Sequence, residues 1–190
     1  EGLPVLVWIH GGGYVAGSPA SPWYDGRNFT RDGVVTVTIS YRLGFDGFGW
    51  IEGAPQNRGV LDWLLALEWV QRNVAAFGGD PGRVTIAGQS AGGGAVLTLL
   101  GMERAQHLFH RVYAISGATA DVSEARARRL AGEIAREAGV SPTREGFATV
   151  PEERILELQA KVTEFGPDSL ATIVEEGLHL GPVVDGDVVK

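Results

Sequence analysis

Two short glycine-rich stretches carry the residue types that could do chemistry. One is Gly88-Gln89-Ser90-Ala91-Gly92, which fits the pattern G-x-S-x-G. In that pattern a serine sits on a sharp strand-to-helix turn, with its Oγ standing clear of the sheet as a nucleophile. The turn crowds its neighbours, so the positions two residues either side of the serine must lack a side chain. Gly93, Gly94 and Ala95 continue the run of small residues, which lets the helix pack close to the strand. The helix N-terminus under Ser90 also favours developing negative charge. The other stretch is His10-Gly11-Gly12-Gly13-Tyr14, directly after an apolar run. A glycine turn exposes backbone N–H groups that side chains would block. Two such donors with the N–H of Ala91 form an oxyanion hole, each donor worth about 2.7–4 kcal/mol in the transition state.

Each feature has a plainer explanation. Ser90 alone could be a helix cap. Gly11-x-Gly13-x-x-Ala16 also fits a dinucleotide-binding fingerprint. Against it, Ser18-Pro19-Ala20-Ser21-Pro22 stands where the helix should start. The second strand also ends in Ser40-Tyr41-Arg42, with no acidic ribose ligand. His10 has the chemistry of a base, but its place before a glycine turn favours a hydrogen-bonded role holding that turn. The pairing of the two glycine motifs favours acyl transfer.

The elements that must position these residues follow from hydrophobic patterning. Residues 5–9 (VLVWI) form a continuously apolar run, as expected of a strand buried on both faces. Residues 34–39, 84–87 and 112–115 read the same way. A helix is expected over 57–77, where Val60, Leu61, Leu64, Leu65, Leu67, Trp69, Val70 and Val74 recur at helical spacing. Gly78-Gly79 ends it, with Pro81 just beyond. A second helix is expected from Ser90 to about residue 100. Strands alternating with helices predict βαβ units and a mainly parallel sheet. Two more helices are expected over 123–137 and 151–162, then an extended apolar stretch over 180–189.

Composition narrows the function further. The chain has 190 residues, enough for one ordinary domain or part of a larger one. Sixteen basic residues against twenty-three acidic give a net charge of −7, which argues against a nucleic-acid partner. The absence of cysteine excludes a disulfide framework, a thiolate metal site and a cysteine nucleophile. No apolar run approaches the roughly 20 residues of a membrane span. No signal-peptide layout is visible, which leans toward the cytoplasm. The 28 glycines are about twice the usual share, and they cluster at turns.

The order of the blocks is specific. PVLVWIHGGGYVAG from Pro4 to Gly17, Tyr41-Arg42-Leu43-Gly44, Gly59-Val60-Leu61-Asp62, Ala76-Phe77-Gly78-Gly79-Asp80-Pro81, the serine turn and Ile115-Ser116-Gly117-Ala118 follow one another. Together they resemble the type B carboxylesterase family, which includes cholinesterases and bacterial para-nitrobenzyl esterases. Gly181-Pro182-Val183-Val184-Asp185-Gly186 resembles a later segment of that family. The hormone-sensitive-lipase family also joins HGGG to G-x-S-x-G, but it lacks the FGGDP block and this tail.

The resemblance implies an α/β-hydrolase fold: a mainly parallel sheet with flanking helices, here incomplete, with residues 1–190 a partial domain. It implies a serine carboxylic ester hydrolase acting on a small-molecule ester, with no cofactor and no metal. Ser90 is then the nucleophile, and Gly12, Gly13 and Ala91 supply the oxyanion N–H groups. Tyr14 is a candidate substrate contact. Trp23, Phe45, Phe48 and Trp50 could join it, or all five could be ordinary core and loop aromatics. Gln89 departs from the more usual Glu before the serine. In this fold the triad runs serine, acid, histidine. His107 and His110 come too early for that order, and His179 precedes the GPVVDG segment. The resemblance therefore places the acid, usually Glu, and the histidine beyond Lys190, so these residues alone are expected to be inactive. A cholinesterase-like binding protein without catalysis is the other function class.

Overall fold

Residues 3–9 alternate in burial because a strand turns successive side chains to opposite faces. In the computed structural model, which describes residues 2–119, 122–163 and 177–190, this run is strand β1, Leu3–Ile9. Val5, Val7 and Ile9 are essentially solvent-free on one face, while Leu6 and Trp8 occupy the other. The remaining strands are β2 (Val35–Ile39), β3 (Gly79–Gln89) and β4 (Arg111–Ile115). Their order in the sheet is β2-β1-β3-β4, and every pairing is parallel. The register sets Val7 between Val37 and Ile86, and Gly88 beside Ala114.

Helices make the crossovers that parallel strands require. Helix α3 (Arg58–Asn73) leads from β2 toward β3, and α4 (Ala91–Gly101) leads from β3 toward β4. The expected helix over 57–77 is α-helical only to Asn73; Val74–Phe77 tightens to a 3-10 turn and Gly78 stops it at φ 82°. Its buried stripe is narrower than expected. Val60, Leu64, Leu67, Val70 and Val74 are buried, but Leu65 and Trp69 are exposed. Trp63, which the stripe omitted, is fully buried. Two short elements in the 22–31 stretch carry no strong pattern: a 3-10 turn, Pro22–Tyr24, and α1, Arg27–Arg31.

The chain divides into two compact units. The first comprises Glu1–Tyr41 and Val60–Thr119 and holds the whole sheet. One face of its sheet is open along a groove of about 430 Å³ floored by Leu6, Trp8, Thr36, Ala87 and Tyr113.

The second unit comprises Arg42–Gly59 and Ala120–Lys190. It contains α2 (Gly44–Phe48), α5 (Glu124–Ala138), α6 (Arg144–Phe147) and α7 (Glu152–Val162). Ser123 caps α5 by accepting from the Arg126 N–H, and Gly139 ends it at φ 73°. Arg58 is buried and donates to the carbonyls of Phe45, Asp46, Gly49 and Pro55, which fixes the loop around α2.

The tail corrects one expectation. Residues 180–189 form no named strand; only a single bridge pairs Val183 with Val122. Asp185 Oδ1 accepts from the N–H groups of Asp187, Val188 and Val189, which folds the segment back on itself. Leu180 and Val183 are buried, so the stretch has the cover that an extended tail would lack.

Candidate active site

The serine turn is built by crowding. β3 ends at Gln89 and α4 begins at Ala91, so Ser90 must reverse the chain in one residue. It does so at φ 57°, ψ −122°, a conformation that costs a non-glycine residue of order 1–3 kcal/mol. Its N–H donates to the Ile115 carbonyl at 2.9 Å, and its carbonyl accepts from the Gly94 N–H at 2.9 Å. Both backbone ends are thus held. The side chain is exposed and makes no capping bond to the helix. That disposes of the plain helix-cap explanation for this serine. The flanking glycines are required sterically: a Cβ on Gly88 would lie 2.7 Å from the Ile9 carbonyl oxygen, and one on Gly92 would overlap the same oxygen.

The glycine turn lies against this elbow. A Cβ on Gly11 would sit 3.2 Å from Ser90 Cβ and 2.5 Å from the Gln89 carbonyl oxygen. Gly12 adopts φ 121° and Gly13 φ 63°, and the Gly12 carbonyl accepts from the N–H groups of Val15 and Ala16. None of the hydrogen bonds among the described residues uses the N–H of Gly12, Gly13 or Ala91. The structure therefore brings Gly11, the turn and Ser90 together at the carboxyl ends of β1 and β3.

His10 points inward. It is 1% exposed, its ring stacks on Tyr41 at 4.5 Å, and its Nδ1 lies 2.9 Å from the Gly11 carbonyl oxygen. A carbonyl can only accept, so Nδ1 carries the proton. Gly17, at φ 113°, leaves room for this ring.

Tyr14 does not stand as an open substrate contact. It is 2% exposed, its ring packs beside Trp63, and a Cβ on Gly94 would meet its hydroxyl at 2.5 Å. Burial drives its pKa far above the ordinary phenol range, so the hydroxyl stays protonated. Of the other aromatic candidates, Phe45 and Phe48 are core residues of the second unit, with Phe45 edge-on to Phe147. Trp50 lies under the Arg128 guanidinium, and Trp23 is almost wholly exposed. His179 sits in the second unit with its Nδ1 3.3 Å from Arg126 Nη2. His110 accepts weakly from the Val84 N–H through its Nδ1.

The residue that sequence reasoning missed is Tyr41. It is buried just past β2, and its hydroxyl donates to the His10 carbonyl at 2.8 Å. No local pattern marks it, because its partner lies 31 residues earlier. Among the described residues, no group of three or more metal-ligating side chains occurs, and no helix is long and apolar enough to cross a membrane.

The carboxylesterase family model matches residues 1–190. This chain belongs to the carboxylesterase family. Para-nitrobenzyl esterase of Bacillus subtilis (strain 168) is 40% identical over 146 residues, which is 74% of this chain and 30% of that protein. Liver carboxylesterase 1 of Oryctolagus cuniculus is 40% identical over 194 residues, 97% of this chain and 34% of that protein. Among solved structures, a PNB esterase superposes with a TM-score of 0.89 at 33% identity, covering 100% of this chain and 41% of that one. A Geobacillus stearothermophilus carboxylesterase gives 0.86 at 39% identity, covering 99% and 40%. This carboxylesterase-family chain thus spans about a third of the length of the curated relatives it matches. It carries the parallel sheet and flanking helices of the α/β-hydrolase fold.

Proposed function

We propose that the protein carrying these residues hydrolyses small-molecule carboxylic esters through Ser90. The observation that supports this most is the state of the elbow: an exposed serine in a strained conformation that does not cap its own helix. Beside it stand backbone N–H groups with no hydrogen bond among the described residues. Strain of this kind is costly and persists where a site uses it, and the exposed N–H groups of Gly12 and Gly13 are open to an incoming oxygen.

In the proposed reaction the Ser90 Oγ attacks the ester carbonyl carbon and gives up its proton to a base. The carbonyl π pair moves to oxygen, and the N–H groups of Gly12, Gly13 and Ala91 stabilise that oxyanion. Collapse breaks the bond to the alkoxy group, which leaves as the alcohol after taking the proton. Water then cleaves the acyl-enzyme by the same steps in reverse. The base and the acid that orients it are proposed to lie outside these 190 residues. Tyr14 serves the site by bracing the turn from below. Gln89 puts no charge beside the serine.

The test uses the protein in its full natural length. A fluorophosphonate should label Ser90, and Ser90→Ala should abolish turnover of p-nitrophenyl acetate. Undiminished turnover in that variant would overturn the assignment. A clean lack of labelling in a folded protein would favour the non-catalytic binding class.

A further inference from the structure

An oxyanion hole works only if its donors are aimed before the charge appears. Each donor shares a rigid amide plane with the carbonyl of the preceding residue, and the two point in opposite directions. Fixing a carbonyl therefore aims the following N–H. Along the glycine turn each such carbonyl is held. Gly12 C=O accepts from Val15 and Ala16, Gly11 C=O accepts from His10 Nδ1, and His10 C=O accepts from the Tyr41 hydroxyl.

The first two anchors are local to the turn. Tyr41 is not: it comes from the residues after β2, on the neighbouring strand of the sheet. It also touches the turn twice. Its hydroxyl fixes the plane between His10 and Gly11, and its ring stacks on the imidazole that fixes the plane between Gly11 and Gly12. Trp63 in turn meets the Tyr41 ring edge-on at 5.5 Å, so the tyrosine is held from behind. Burial pushes its phenol well above the ordinary range, so the hydroxyl remains a donor at neutral pH.

We propose that Tyr41 is a positioning residue for catalysis, which aims the Gly12 N–H at the oxyanion through its paired contacts with His10. The proposal rests on the Ser90 reading above. Tyr41 never touches substrate, so its loss should leave ground-state binding alone and weaken only transition-state stabilisation.

The experiment compares Tyr41→Phe, Val70→Ala and Ser90→Ala with the unaltered protein in its full natural length, on p-nitrophenyl acetate. Tyr41→Phe keeps the stacked ring but frees the His10 carbonyl, so the residue whose imidazole holds the Gly11 carbonyl, and with it the Gly12 N–H, loses one of its two anchors. Losing an oxyanion donor outright costs about 10²–10³ in kcat, and loosening one should cost roughly tenfold. The expected result is a kcat lowered about fivefold or more, with KM within about twofold. Val70→Ala hollows the buried face of α3 away from the turn. It should lower Tm at least as much as Tyr41→Phe while leaving kcat unchanged, which separates positioning from general stability. A smaller fall in kcat for Tyr41→Phe, or an equal fall in Val70→Ala, overturns the proposal. Ser90→Ala that retains turnover overturns the underlying reading instead.

Discussion

Gly93 and Gly117 lie back to back. A Cβ on Gly117 would fall 2.5 Å from the Gly93 carbonyl carbon, and a Cβ on Gly93 would fall 2.9 Å from Gly117 Cα. The first turn of α4 thus rests directly on the chain leaving β4, with backbone as the obstacle on both sides. Backbone cannot rotate out of the way as a side chain can. Gly93→Ala and Gly117→Ala should each destabilise the protein by about 1–3 kcal/mol, the usual range for overpacking. Denaturant unfolding checks this, and Gly101→Ala is the control, since a Cβ there meets nothing within 4 Å.

The two oxyanion glycines should respond differently to the same substitution. A Cβ on Gly12 would overlap the Ala16 carbonyl, and its φ of 121° is closed to other residues. Gly12→Ala must therefore rebuild the turn, and a kcat loss of about 10²–10³ is expected. At Gly13 the nearest atom to a Cβ is Val15 Cγ2 at 3.8 Å, and the φ of 63° is tolerated at a cost of about 1–2 kcal/mol. Gly13→Ala should lower Tm yet keep most of the activity. Equal losses in kcat would show that the steric account of the turn is wrong.

Asn57 should matter more than its surface-type chemistry suggests. It is 2% exposed at φ 53° and makes three bonds within the second unit. Its Nδ2 donates to the Val183 carbonyl and to Asp185 Oδ2, and its Oδ1 accepts from the Val183 N–H. Asn57→Ala leaves those groups without a partner at about 1–3 kcal/mol for each buried one. Asn57→Asp restores the acceptor but sets a second carboxylate against Asp185, so it should be no better than Ala. Urea unfolding and amide exchange at Val183 report the outcome; a Val183 amide as protected as before would contradict the clamp.

A surface pair gives a pH prediction of opposite character. Lys161 Nζ lies 2.7 Å from Glu137 Oε2, and its hydrogen bond and charge hold that carboxyl below its ordinary range. A carboxylate with a lowered folded pKa adds stability above its unfolded value and loses it as pH falls through the folded one. Lys161→Met should therefore change stability at neutral pH and have little effect below the carboxylate range. The pair is exposed, so added salt should erase even the neutral-pH difference. An effect that persists in high salt would mean that Lys161 acts through packing.

Much of the fold was legible because its signals are local. Apolar runs marked the four strands to within a few residues, apart from a longer β3, and Gly78 marked a helix end because glycine enters that φ value freely. The elbow and the glycine turn were legible for the same reason: their glycines answer a steric demand set by immediate neighbours. What stayed hidden is long-range and polar. Tyr41 reaches back 31 residues to His10, Asn57 reaches forward 126 residues to Val183, and Gln159 Oε1 accepts from the Phe45 N–H across 114 residues. A side chain bonded to distant backbone leaves no periodicity to read. Tyr14 stayed open between substrate contact and core aromatic for a related reason. A tyrosine beside a glycine turn resembles a binding residue, and only the packing of Trp63 and Gly94 shows that it faces inward.

The strand order carries a consequence for synthesis. β1 lies between β2 and β3, yet the ribosome makes it before either of them. β2 ends 30 residues after Ile9 and β3 ends 80 residues after it. At about 5–20 residues per second, β1 waits roughly 4–16 s for its second neighbour to be made. During that interval VLVWI has at most one of its two strand neighbours, and its open edge is available to chaperones and to other nascent chains. Slow codons between β2 and β3 would lengthen this exposure without changing one residue of the finished protein.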